Sequence, residues 1–282
     1  MPNTSPSKKR TPILLWIGVI LTIIFCLAPV LWQLLTSFKT NDAIQAIPTI
    51  YFPNVNQFTL NHYIQLGLTF IRYIFNSALV SLTSTALCLA IGAPAAYTLA
   101  RLKLPGENII LSFVLIVSLF PYVLLFLGLL EVVKFFNLGN NYIALIVPYT
   151  AINLPLTLLI LRSFFQQLPK DLEDSAKIDG YTTLSMLWHI VLPMTVPALV
   201  TTGILTFIFA WNEFIFALTF ITNESLYTIP VAVAQIGGSS VYEIPYGPIA
   251  AATVAGTLPL VILVLLFQRR IVQGITAGAV KG

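Results

Sequence analysis

Long apolar runs, separated by short polar stretches, organise the whole chain. Charge-free runs cover 11–38, 73–100, 108–130, 135–161 and 244–268, and a further run at 196–222 contains one acid, Glu213. A membrane's hydrocarbon core of about 30 Å requires roughly 20 apolar residues of helix. The pattern therefore predicts an all-α fold with six transmembrane helices.

The composition agrees with a membrane protein. Hydrophobic residues make up 57% of the 282 residues and charged residues only 9%, whereas a soluble chain of this size would carry far more surface charge. The first run follows a basic segment, as in a signal peptide. It is too long for the apolar region of a signal peptide, and no small-residue cleavage pattern follows it. We therefore expect it to remain as the first membrane helix.

Basic residues predict the orientation, because short cytoplasmic loops are enriched in Lys and Arg. Six spans place eleven basic residues on the side of both termini: Lys8, Lys9, Arg10, Arg101, Lys103, Arg162, Lys170, Lys177, Arg269, Arg270 and Lys281. The other side receives three: Lys39, Arg72 and Lys134. Both termini are thus predicted to be cytoplasmic. The predicted segments are an inner tail (1–11), a first helix (12–38), an external segment (39–71), a membrane core (72–271) with an inner loop (165–195), and a second inner tail (272–282).

Scarce charge is concentrated in that inner loop, between spans four and five. Six charged residues occupy ten positions: Lys170, Asp171, Glu173, Asp174, Lys177 and Asp179. Residues 171–179 are predicted to form a short helix whose early carboxylates complement its positive end. Gly180 would end this helix with a positive φ, and Thr182 or Thr183 would cap a second one.

The second loop helix has apolar residues at the spacing of one helical face: Leu184, Leu187, Trp188 and Val191. Leu192-Pro193 is expected to close it, because proline disfavours helical geometry in the preceding residue. A loop that merely marks the aqueous side would explain the charges. It would not explain an apolar stripe, which favours a docking function.

This stretch resembles the EAA loop of binding-protein-dependent ABC importer permeases. That pattern is Glu-Ala-Ala, three residues, Gly, nine residues, Ile, one residue and Leu-Pro, and its spacing is matched here by Asp174, Ser175, Ala176, Gly180, Ile190, Leu192 and Pro193. Asp replaces Glu and Ser replaces the first Ala, which keeps the charge and the small size. Segment 76–101 is similar to the start of the family core. Segments 209–220 and 267–282 resemble the carbohydrate-uptake branch, in particular maltose permease G-type subunits.

The resemblance implies a function for the loop and a set of partners. The first loop helix would be a coupling helix docked in a cleft of a separate ATPase, with Asp179 and the matched residues forming the contact. ATP and Mg²⁺ would bind to two ATPase subunits, and this chain would hold no cofactor. The other partners would be a homologous permease subunit, as a heterodimer, an extracytoplasmic solute-binding protein and the lipid bilayer, with no nucleic acid. The complex would import a disaccharide or an osmoprotective glycoside across a bacterial inner membrane.

The chain has no Gly-x-x-x-x-Gly-Lys-Ser/Thr phosphate loop, so it is expected to depend on another subunit for ATP hydrolysis. Its two histidines, His62 and His189, are predicted to lie on opposite sides of the membrane. We therefore predict no catalytic residue and no metal site, and not a membrane-embedded enzyme.

Glu213 is an acid inside a predicted span, where an ionisable group is either functional or paired. In one interpretation Asn212 and Glu213 hydrogen-bond a sugar in an aqueous path, and Trp211 offers a stacking face. In the other, Glu213 pairs with a neighbouring helix and stabilises the assembly. The second interpretation is favoured.

Prolines occur in every predicted span, among them Pro29, Pro94, Pro121, Pro155, Pro197 and Pro259. They permit bent helices, which suit a gate but are also compatible with a passive role. Small residues are expected to allow close helix packing: Gly92, Ala96, Ala252 and Gly256.

Two other classes of membrane protein remain as alternatives. An ion-coupled secondary transporter would need ionisable groups near the midplane, often in repeated broken helices, and here only Glu213 qualifies. A non-transporting scaffold would explain the docking loop. It would not explain the bent helices or the polar residues within the spans.

Overall fold

The computed structural model describes residues 13–102, 104–237 and 244–279, with the backbone alone for 270–279. The N-terminal tail (1–11), Lys103 and 280–282 lie outside the described residues. The α-helices are α1 (Ile13–Ser37), α2 (Asn41–Gln45), α3 (Asn61–Arg101), α4 (Glu107–Leu119), α5 (Phe126–Phe135), α6 (Ile143–Gln167), α7 (Lys170–Ile178), α8 (Thr183–Met186), α9 (Leu192–Met194), α10 (Val196–Asn212), α11 (Ile215–Phe220), α12 (Ile229–Gly237) and α13 (Tyr246–Ala279).

The helices confirm an all-α membrane fold. Four helices, α1, α3, α6 and α13, are long and apolar enough to cross a bilayer. Two bent pairs complete six spans when each pair counts as one. The first joins α4 to α5 with a bend of 89°, and the second joins the 183–194 segment to α10 with a bend of 80°.

Spans three and four differ in detail from the predicted runs. Span three is not one helix, because α4 ends before Pro121, which has no N–H to continue the helical hydrogen bonding. Span four begins at Ile143 rather than at 135. The preceding turn places Asn137 and Asn140 at φ 52° and 56°, the left-handed region that Asn tolerates better than most residues.

Span five is also interrupted, which corrects the prediction of a continuous run over 196–222. Glu213 has an extended backbone conformation (φ −67°, ψ 131°) between α10 and α11. An extended residue cannot continue the i to i−4 hydrogen bonding of a helix. The acid therefore lies at a break in the span, which explains how its carboxylate can reach the next helix.

The chain divides into two compact units. In the first, the described residues up to Leu66 group with 236–237 and 244–255, and Lys39 forms an isolated antiparallel bridge with Phe58. Here His62 Nε2 lies 2.9 Å from the Lys39 carbonyl oxygen. The second unit comprises 67–235 and the part from Gly256 onward.

Two apolar cores stabilise the second unit. One surrounds Tyr149, Phe216 and Phe220, which come from α6 and α11. The other contains buried residues of α3, α6, the inner loop and α10: Ala93, Ala96, Tyr97, Leu161, Phe165, Ala176, Met186, Leu187, Val191 and Ala198. The inner loop is therefore packed into the helix bundle and is not a free surface segment.

Close helix packing at small residues is confirmed. A Cβ on Gly92 would lie 2.7 Å from Thr157 Cγ2, and one on Gly256 would lie 2.5 Å from Ile229 Cγ2. Ala96 and Ala252 are completely buried. Larger side chains at these positions would push neighbouring helices apart.

Candidate functional site

The inner loop begins with α7, and Gly180 ends it with the hydrogen bonds of a Schellman motif. The Gly180 N–H donates to Lys177 O at 3.1 Å, and the Tyr181 N–H donates to Ala176 O at 3.0 Å. Gly180 has φ +83°, as predicted. This left-handed conformation is strained for a residue with a Cβ but not for glycine. The chain thereby reverses direction within two residues of the helix end.

The second arm of the loop starts at Thr182, whose Oγ1 accepts a hydrogen bond from the Ser185 N–H at 3.3 Å. This is one of the two predicted caps. The helix then widens into a π-helical turn, Leu187–Val191, and continues through Pro193 to Thr195. We call the two arms together, residues 170–194, the elbow.

Leu192-Pro193 does not close the second arm, which corrects the prediction. Leu192 is helical (φ −62°, ψ −45°). The wider π-helical turn before it provides a physical reason, because a proline ring clashes with the carbonyl four residues earlier only when the turn keeps α-helical spacing.

The predicted apolar stripe is buried on only one side. Leu187 and Val191 are buried, whereas Leu184 and Trp188 are 63% and 55% exposed. The stripe is thus divided between a buried face and an exposed face. Leu187 and Val191 pack in the bundle core, and Leu184 and Trp188 leave an apolar surface beside α7.

The predicted coupling residues also divide between two faces. Five of them are exposed: Asp174, Ser175, Asp179, Gly180 and Pro193. Two are half-buried: Ile190 and Leu192. Ala176 is only 2% exposed and packs in the core. It therefore does not offer its surface to a partner, contrary to the prediction, because α7 turns this face toward the bundle.

Sequence inspection missed two arginine ion pairs, one of them buried. Arg101, at the end of α3, forms an ion pair with Glu173 of α7 at 2.8 Å, and the two side chains are 6% and 11% exposed. Arg101 Nη2 also donates to Leu168 O, at the end of α6. Arg162 pairs with Glu107 at 2.7 Å and donates to Leu99 O at 3.1 Å. The only signal in the sequence was the rarity of charge.

Glu213 has the contacts of a structural residue. It is 4% exposed, accepts a hydrogen bond from the Tyr149 hydroxyl, and accepts from the Phe216 and Ala217 N–H groups at 3.0 and 3.3 Å. Its carboxylate thus caps α11 and links it to α6. These contacts support the interpretation in which Glu213 stabilises the assembly.

The neighbours of Glu213 do not form a sugar-stacking site within this chain. Trp211 is 3% exposed and its indole N–H donates to Gly256 O at 3.3 Å, so no ring face is open for stacking. The Asn212 side chain is exposed but donates to Ile208 O at 2.8 Å, in its own helix. The predicted role of Trp211 as a stacking platform is therefore wrong.

A cavity of about 480 Å³ lies near the break in span three. Its lining is mostly apolar and comes from α4, α5 and α6 with Phe209 of α10. Polar groups enter it from Ser118, Tyr122 and Asn153. Because Asn153 Nδ2 already donates to Tyr149 O, few groups remain to bind a polar solute.

Comparisons with known proteins agree with this architecture. A sulfoquinovosyl glycerol transport system permease protein of Agrobacterium fabrum is 43% identical, over 91% of this chain and 89% of that protein. A trehalose/maltose transport system permease protein of Thermococcus litoralis is 42% identical, over 96% and 97%. A crystal structure of a bacterial ABC transporter involved in the import of the acidic polysaccharide alginate has the same fold, with a TM-score of 0.78 at 19% identity over 95% of this chain and 99% of that chain.

The family described as binding-protein-dependent transport system inner membrane component matches residues 88–277. This range includes the elbow, both arginine ion pairs and the break at Glu213. Its description places such chains in the inner membrane and makes their transport dependent on a binding protein. The chain therefore belongs to the family of binding-protein-dependent transport system inner membrane components, as a permease subunit and not an enzyme.

Proposed function

We propose that this chain forms half of the membrane channel of an ATP-driven importer for a small carbohydrate or glycoside. The observation that carries the solute class is the similarity, above 40% identity and over about nine-tenths of the chain, to two permeases named for glycosides. A disaccharide or an osmoprotective glycoside is the size of solute that we expect.

The elbow is the site that we assign to the ATPase. Asp174, Ser175 and Asp179 present polar groups on the outer face of α7. Asp174 has only an exposed pairing with Lys177 at 3.5 Å, so its carboxylate can exchange this contact for a basic group of the partner. Leu184 and Trp188 add an exposed apolar surface that a cleft would cover.

A homologous permease subunit is proposed to complete the solute path. The polar groups of the 480 Å³ cavity, from Ser118, Tyr122 and Asn153, are too few for a solute covered with hydroxyls. A heterodimer would supply the missing donors from the other chain. The other proposed partners are two ATPase subunits, which would bind ATP and Mg²⁺, and an external binding protein. This chain itself would bind no cofactor.

The orientation that we propose has both termini in the cytoplasm, so that the elbow and the 272–282 tail face the ATPases. The supporting observation is the bias of basic residues toward that side. By resemblance to the family, the tail would reach the ATPase pair.

Substitutions on α7 test the ATPase assignment. Asp174→Lys places like charge against the proposed basic group, and we expect ATPase subunits to co-purify roughly tenfold less and uptake to fall in parallel. Glu131→Lys makes the same reversal of charge at an exposed position of α5 and is the control. Normal assembly and uptake with Asp174→Lys would refute the assignment. Competition of labelled trehalose uptake by unlabelled glycosides tests the solute class.

A further inference from the structure

The two neighbouring acids of α7 lie on different faces of the helix, one buried and one exposed, and this separates two functions. Asp174 is exposed, whereas Glu173 is buried against Arg101. Glu173 and Ala176 lie three residues apart, so they share one helical face, and both are buried. The outer face of α7 is free for a partner while the inner face is attached to the bundle.

Arg101 is the centre of this attachment. Arg101 ends α3, and its guanidinium links this helix to two others, because it pairs with Glu173 of α7 and donates to Leu168 O at the end of α6. A cation at the carboxyl end of α6 is also favoured by the helix dipole. We call Arg101, Glu173 and the Leu168 carbonyl the junction.

Unlike a surface ion pair, the buried junction would be costly to break by removing one of its partners. The two side chains are only 6% and 11% exposed, so water screens their attraction weakly, and either charge left alone would be costly. The packed core around Tyr97, Phe165 and Ala176 surrounds it. By contrast, the flexible Lys177–Asp174 pair on the outer face is exposed on both sides.

We propose that Arg101 and Glu173 are positioning residues that make α7 and the inner ends of α3 and α6 move as one body. This inference rests on the proposed function, in which an ATPase binds the outer face of α7. Movement of the ATPase would then reach spans two and four through the junction, and not only through the chain that joins α6 to α7. The elbow would act as part of the bundle.

Spin labels test this directly in the assembled complex. We would label Lys170→Cys on α7 and Leu102→Cys beside the end of α3, after replacing the exposed Cys26 with Ala. The expected result is the same label-to-label distance in the nucleotide-free and ATP-bound states. A distance that changes between the two states in the otherwise unaltered protein would overturn the proposal, and this test needs no substitution at the junction.

Glu173→Gln tests the consequence for coupling. It leaves Asp174 intact, so the ATPase should still bind. The number of solute molecules transported per ATP hydrolysed should fall roughly tenfold. The distribution of label-to-label distances should become broader. Glu131→Gln removes an exposed ion pair with Lys134 and is the control, with no change expected. Coupling unchanged in Glu173→Gln would overturn this inference alone, whereas an unaffected Asp174→Lys complex would instead overturn the proposed function.

Discussion

At the scale of single residues, backbone conformation and burial decide what the important side chains do. Gly180 has a positive φ and open space around it, since a Cβ added there would have no heavy atom within 4 Å. A glycine is therefore favoured at this position only because of its backbone conformation, and not because a side chain would clash. Glu213, by contrast, is fixed by what it contacts, because three donors converge on its carboxylate.

Gly180→Ala should destabilise the elbow by about 1 kcal/mol, because alanine disfavours the left-handed conformation. Gly180→Asn should cost less, since Asn tolerates it. The measurement is thermal unfolding of the purified complex together with uptake. Gly128→Ala, at an open helical position, is the control and should not lower stability. Equal stability of Gly180→Ala and the unaltered protein would contradict the conformational argument.

Glu213→Ala should lower stability by about 2 kcal/mol, because the buried Tyr149 hydroxyl and the first amides of α11 lose their acceptor. Glu213→Gln keeps an oxygen acceptor and should lose less. Both variants should keep the solute preference of the unaltered protein in competition uptake assays. A changed preference at normal thermal stability would favour the path role instead.

At the scale of helices, close approach and breaks shape the bundle. Helices α3 and α6 meet where Gly92 faces Thr157, with no room for a Cβ. Helical hydrogen bonding is interrupted at Pro121 in span three and at Glu213 in span five, so each span consists of separate helical segments. These features give the membrane region both tight contacts and places to bend.

Gly92→Ala should destabilise the protein by about 2 kcal/mol, because its Cβ would overlap Thr157 Cγ2. Thr157→Ser removes that methyl group and keeps the hydroxyl that contacts Cys88. The double variant should therefore recover most of the loss in thermal unfolding. Failure to recover would mean that the α3–α6 contact is not the cause.

Local rules in the sequence were sufficient for some of these elements and not for others. Gly180 and Thr182 act on residues within a turn of themselves, so their roles could be predicted. The Arg101–Glu173 pair and the burial of Trp211 depend on which helices meet, which periodicity does not specify. The break at Glu213 was hidden because it lies in a long, mostly apolar run with no glycine or proline beside it. The family motif located the elbow correctly but did not reveal which face it presents.

At the scale of the whole molecule, the chain is a multi-pass permease subunit of an importer that works with ATPase subunits and a binding protein. Its spans include two bent helix pairs, and α7 is the docking face that we propose for the ATPase. In the proposed account, the energy for uptake enters at the elbow and is used within the membrane.

The most direct test of that account is uptake by vesicles containing this chain with its homologous permease, the ATPase subunits and the binding protein. With no ion gradient, labelled glycoside should accumulate only when hydrolysable ATP is present on the side of the elbow, and Asp174→Lys should reduce this accumulation roughly tenfold. Accumulation driven by an ion gradient, without ATP or without the ATPase subunits, would contradict the account.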